Sequence, residues 1–212
     1  MRMCRQGIQR WVLGLSVALW SLLFLGCVGQ SRAVGDFRTS GTEPSVMVAV
    51  PPNDHSHFHV AVPFFPDDTD QCGPATLASV LTYWGIPTNP STLKEEIYLP
   101  RLKGTLPIDL ILAAQERGLK AEIYQGGLDD LKSELAAGRP LVALLNLGFA
   151  IFPQGHYVVV TGYDDRREGV YVHSSLEKDV FIPYERFLRS WDKTGRWTLL
   201  VTPPASRLRS HT

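Results

Sequence analysis

Net charge is the first thing this chain lacks. Its 212 residues carry 21 Lys plus Arg against 21 Asp plus Glu. No basic field is therefore present to gather nucleic-acid phosphates, and no nucleic-acid-binding motif appears. Cysteine is scarce too: Cys4, Cys27 and Cys72 are too few for a disulfide framework. No apolar run reaches the ~20 residues of a membrane-spanning helix, and no internal repeat recurs. Disorder is excluded by what remains, since 44% hydrophobic and 20% charged residues suffice for a sizeable core. The length suits one domain with tails, or two small ones. It leaves no room in this chain for an ATP-binding domain or a multi-span transporter beside a soluble body.

The charge balance is uneven along the chain. Residues 1–27 hold Arg2, Arg5 and Arg10 and no acid, so the rest has 21 − 3 = 18 bases against 21 acids. Trp11 to Leu25 is apolar except for Gly14, Ser16 and Ser21. As a helix it would extend roughly 22 Å, short of the ~30 Å hydrocarbon core. A basic start before a brief apolar run reads as an export signal over 1–26. The run stops at Phe24-Leu25-Gly26-Cys27, which resembles the lipobox of bacterial lipoproteins, with acylation at Cys27. An uncleaved N-terminal anchor is the alternative. Both put the body on the periplasmic side of the inner membrane. Residues 27–54, rich in Gly, Ser, Thr and Pro, read as a flexible tether, and 205–212 as a disordered tail.

Between them, 55–204 alternates helical and strand patterns. His59 to Phe65 is β-rich. Pro74 to Trp84 predicts a helix with Leu77, Val80, Leu81 and Trp84 on one face and Gly85 closing it. Asn89-Pro90 is an N-cap and first-turn pair for a second helix, to about Tyr98. Further helices are predicted over 107–117 and 128–137, each followed by glycine, with a strand over 119–124 between them. After Pro140, short β-branched and aromatic runs follow at 141–147, 157–163, 169–173, 180–184 and 197–202. The second and third of these predict a hairpin across the polar 164–169 connector. Helices followed by an antiparallel sheet make an α+β fold.

The chemistry centres on Asp70-Gln71-Cys72-Gly73-Pro74. With Cys4 in the signal and Cys27 lipidated, Cys72 stands as a lone thiol in an oxidising compartment, either a small buried hydrophobe or a reactive group. It lies at the start of a helix, where unbonded N–H groups and the macrodipole favour a thiolate. Backbone amides there suit an oxyanion. Asp67, Asp68 and Asp70 oppose that effect, though as loop carboxylates they are expected to be solvated. His156 opens the most β-rich run, where a strand end against a helix tip holds imidazole rigidly. His173 ends a strand. His55, His57 and His59 share one face of a strand and form a candidate metal set, against the plainer reading of a solvated histidine-rich edge.

Two motifs carry a resemblance. Asp70-Gln71-Cys72-Gly73-Pro74-Ala75-Thr76-Leu77-Ala78, with Tyr83-Trp84-Gly85, resembles the nucleophile box of the bacteriocin-processing (double-glycine leader) cysteine peptidases and their papain-like relatives. Gly155-His156-Tyr157-Val158-Val159-Val160-Thr161-Gly162-Tyr163-Asp164 resembles their histidine strand. Together with the Phe187…Trp191 and Trp197 segment, the likeness spans about residues 60–202. Stand-alone lipoprotein members are the nearer type, through Tyr98-Leu99-Pro100…Gly104. The resemblance implies a papain-like fold over 55–204, Cys72 as nucleophile, His156 as general base, and no cofactor. Two positions depart from the family. Ser174 occupies the place of its aspartate, and Pro66-Asp67-Asp68-Thr69 stands where its glutamine lies, leaving Gln71 as the oxyanion donor in reach.

The expected function is thus thiol-dependent cleavage of peptide bonds in a peptide or protein substrate, in the bacterial envelope, by a domain tethered to a membrane. Two alternatives accompany it: a catalytically weak or inactive peptide-binding module, and a histidine-rich metal-binding lipoprotein.

Overall fold

A computed structural model describes residues 56–67, 70–149 and 152–204. The expected signal, tether, Cys27 acylation site and tail lie outside the described residues, as do His55 and Asp68.

The elements follow in the order β1 (His57–His59), α1 (Cys72–Tyr83), α2 (Pro90–Ile97), α3 (Pro107–Glu116), β2 (Lys120–Gln125), α4 (Leu128–Ala136), β3 (Leu141–Asn146), β4 (Gly155–Asp164), β5 (Gly169–Ser174), β6 (Glu177–Pro183), α5 (Tyr184–Asp192) and β7 (Trp197–Thr202). The fold is α+β, as the sequence predicts. One seven-stranded antiparallel sheet runs β2-β7-β3-β4-β5-β6, with β1 added against β4. The predicted hairpin is β4–β5, in register from Val159↔His173 to Asp164↔Gly169 with a bulge between Val160 and Gly162.

Sequence explains most element ends. Asn89 caps α2 by accepting from Thr92 N at 3.0 Å. Gly85, Gly118 and Gly138 follow α1, α3 and α4 with φ near +70°, a conformation that glycine adopts without a Cβ clash. Three boundaries differ from expectation. The β1 strand covers only His57–His59, and residues 60–67 run on without strand pairing beyond Val60 N to Thr161 O. Helix α1 begins two residues before Pro74, which the first turn tolerates because its N–H groups have no intrahelical acceptor. The unpredicted α5 carries Phe187 and Trp191 at i, i+4, both fully buried, among charged residues.

The centre of the core is α1 against β4. Residues Cys72 to Leu81 are all buried, as is β4 from Gly155 to Tyr163. Helix α1 therefore has no polar face to solvent along most of its length. Trp84 Nε1 donates to Val201 O at 2.7 Å and ties the end of α1 to β7. This anchorage fixes where the opposite end, Cys72, meets the sheet.

Candidate active site

Cys72 is the first residue of α1, behind Gln71 as N-cap. Gln71 caps through its backbone, its O accepting from Ala75 N at 3.1 Å, and its side chain makes no capping bond. Thr76 Oγ1 donates to Cys72 O at 2.8 Å, which tightens the first turn. Cys72 lines a small cavity with Phe64, Phe65, Asp67, Tyr157, His173 and Ser174, a space for about one water. The sulfur-bearing residue thus faces the glycine-led β-run. It does so from within the protein, at 3% exposure, instead of standing at an open edge.

The lone-thiol expectation is corrected. Cys72 stands in a disulfide, and the chain's other cysteines, Cys4 and Cys27, lie outside the described residues. The sequence-based expectation excludes a disulfide only by placing both of those in a removed or lipidated segment. Thiol chemistry at Cys72 starts from the reduced chain.

His156 is the second residue of β4 and is buried at 4% exposure. Its Nε2 lies 2.9 Å from Ser174 Oγ at the end of β5. Ser174 in turn shares the cavity wall with Cys72, whereas His156 is not itself part of that wall. Ser174 thus borders the space beside Cys72 and bonds to His156. Burial lowers the His156 pKa to about 4, because the desolvated ring disfavours charge. The imidazole is therefore neutral at neutral pH.

Two polar side chains at the ends of β3 and β4, Asn146 and Asp164, are engaged with backbone N–H groups. Asn146 Oδ1 accepts from Gly148 N and Gln154 N, both at 2.9 Å, and holds the β3–β4 connection. Asp164 Oδ1 accepts from Arg166 N and Arg167 N and holds the β4–β5 turn. Asp67 is a further correction: it is buried at 9% exposure on the cavity wall, not solvated, with its N donating to Ser175 O at 2.9 Å. Asp70 likewise accepts from Tyr98 Oη at 2.7 Å.

His173 lines the cavity beside Cys72, a placement that its position in the sequence did not reveal. Its Nδ1 accepts from Asp179 N at 3.2 Å, so the proton sits on Nε2 and donates to Val62 O at 3.0 Å. Both ring nitrogens are committed to backbone, and burial lowers its pKa. His173 is a structural histidine that pins the 60–67 segment over the cavity.

The upstream histidines divide differently from the metal reading. His57 and His59 share a face, each edge-on to Tyr171 at 6.2 and 5.8 Å. His59 Nε2 is taken by Asp179 Oδ1 at 2.9 Å. Among the described residues no group of three His, Cys, Asp or Glu is arranged to hold a metal ion. His55 lies outside them.

Comparison with solved structures gives the same architecture elsewhere. A double glycine motif protease from an AMS/PCAT transporter, in complex with its leader peptide, is 26% identical at a TM-score of 0.56, covering 69% of this chain and 95% of that one. A C39-like peptidase from Bacillus anthracis is 23% identical at a TM-score of 0.58, covering 70% and 98%. The peptidase domain of Streptococcus ComA, a bifunctional ABC transporter involved in quorum sensing, is 23% identical at a TM-score of 0.54, covering 69% and 100%. A search of curated proteins found no match. The fold is the papain-like one of these peptidases. The model of the Peptidase_C39-like family matches residues 53–199, well over half of the chain and with both Cys72 and His156 inside it, and the chain belongs to that family.

Proposed function

We propose that this protein is a thiol-dependent peptidase that cleaves peptide bonds through Cys72 and His156. The observation that carries this reading is Ser174, which shares a cavity wall with Cys72 and lies 2.9 Å from His156 Nε2. A peptide substrate is supported by the relative bound to a leader peptide.

The chemistry follows from the tautomer. In the tautomer with its proton on Nε2, His156 donates to Ser174 Oγ and Nδ1 acts as the base. Nδ1 takes the thiol proton as sulfur attacks the scissile carbonyl. The tetrahedral oxyanion meets N–H groups at the tip of α1, with Gln71 as a side-chain donor. Collapse breaks the C–N bond, and the imidazolium returns its proton to the leaving amine. Water, deprotonated by His156, then hydrolyses the thioester to release the acid and the thiol. Ser174 orients the ring but carries no charge to stabilise imidazolium. The enzyme is therefore expected to be slower than relatives with aspartate there. The sequence of residues 1–27 supports a place for this activity outside the inner membrane, where the oxidising conditions suit the Cys72 disulfide.

A peptide-binding module without cleavage is the second reading, favoured by the neutral, buried His156 and by the missing carboxylate. Peptide hydrolysis by the reduced chain separates them. We expect cleavage that iodoacetamide blocks, that Cys72→Ala abolishes and that His156→Ala slows by about 10²–10⁴-fold. Peptide binding without any Cys72-dependent cleavage overturns the peptidase in favour of the binder.

A further inference from the structure

Helix α1 meets a buried hydroxyl at its N-terminus. Thr105 precedes α3, is 1% exposed, and its Oγ1 has no hydrogen-bond partner. It stands directly against Gly73: a Cβ there would come within 2.8 Å of Thr105 Oγ1 and 2.7 Å of its Cβ. Its backbone is fixed independently, because Tyr157 Oη donates to Thr105 O at 3.3 Å. Tyr157 also shares the cavity wall with Cys72. The hydroxyl is thus held at the residue next to the sulfur by contacts that do not use it.

An unpaired buried hydroxyl costs about 1–3 kcal/mol, and valine would fill the same shape without that cost. Packing alone does not account for threonine here. A hydroxyl already bonded has its proton committed, whereas this one is free to turn its dipole as charge develops nearby. The N–H groups of the first turn of α1 point the same positive potential at that place.

We propose that Thr105 is a positioning residue of the nucleophile, its hydroxyl turning toward Cys72 and adding to the helix tip's hold on negative charge at sulfur. The proposal rests on the peptidase reading only in taking Cys72 to work as a thiolate. It is distinct from the roles of His156, Ser174 and Gln71.

The test uses the reduced full-length chain and follows iodoacetamide modification of Cys72 against pH, by mass spectrometry of its peptide so that Cys4 and Cys27 do not interfere. Thr105→Ala and Thr105→Ser differ by one hydroxyl. We expect the serine variant to keep the wild-type profile and the alanine variant to react up to about tenfold more slowly near neutrality, the equivalent of one unit along the pH axis. Thr105→Val should show the same loss with a melting temperature equal to or above wild type. Superimposable profiles for all variants overturn the proposal. So does a Cys72 that alkylates only on unfolding, or a pair of hydroxyl-free variants that melt far below the serine variant. Absence of Cys72-dependent cleavage in the wild type would sink the peptidase reading alone, since the alkylation comparison is decided without substrate.

Discussion

Ser174 decides the electrostatics of the histidine. A carboxylate in its place would favour the imidazolium, while a hydroxyl gives a hydrogen bond without charge, and burial then dominates and drives the His156 pKa down to about 4. The base is a neutral ring that takes a proton only when the thiol gives one up. Ser174→Asp should therefore raise the His156 titration, read from its ring C–H resonances in NMR. Each unit gained multiplies the imidazolium population by about ten. We also expect peptide cleavage near neutral pH to increase in that variant. An unmoved titration would mean that the β5 position does not govern the ring.

Among the elements, α1 explains why the nucleophile position is so constrained. Its buried length permits no drift, Trp84 pins one end to β7, and Gly73 lets Thr105 close on the other. A Gly73→Ala methyl would sit 2.7 Å from Thr105 Cβ, a side-chain stem whose backbone carbonyl is held by Tyr157. The clash must push the α3 approach or the helix tip aside. We expect Gly73→Ala to lose about 1–3 kcal/mol of stability in denaturant titration, with a larger proportional loss of activity than of stability. A variant with wild-type stability would show that the α1–Thr105 contact yields easily.

At the scale of the whole molecule, two buried histidines make stability depend on pH. The His156 pKa is lowered from an ordinary 6.5 to about 4, and that of His173 is lowered as well, both by burial. The unfolded chain binds these protons first as pH falls, so the folded state loses stability from about pH 6.5 downward. The loss from His156 is complete near pH 4 and is on the order of 3 kcal/mol. Denaturant midpoints between neutral pH and pH 4 should fall accordingly, and His156→Asn should flatten the slope. A flat wild-type profile would contradict the neutral buried ring.

Periodicity and turn chemistry suffice for the helices through α4 and for the strands after Pro140, because apolar spacing, Asn89 as a cap and glycines with positive φ act locally. The Cys72 and His156 motifs were legible for the same reason: each lies at an element end that short-range pattern defines. Helix α5 was not, since its apolar pair Phe187 and Trp191 is sparse among charges and becomes a stripe only against the sheet. Long-range packing alone decided the rest. It buried Asp67 and His173 beside Cys72 and took His59 for Asp179. It also joined Ser174 to His156 across the β4–β5 pair, and set an unpaired Thr105 hydroxyl against Gly73. Most of those contacts link residues far apart along the chain, and what governs them is the desolvation and geometry of the assembled core, which no local window contains.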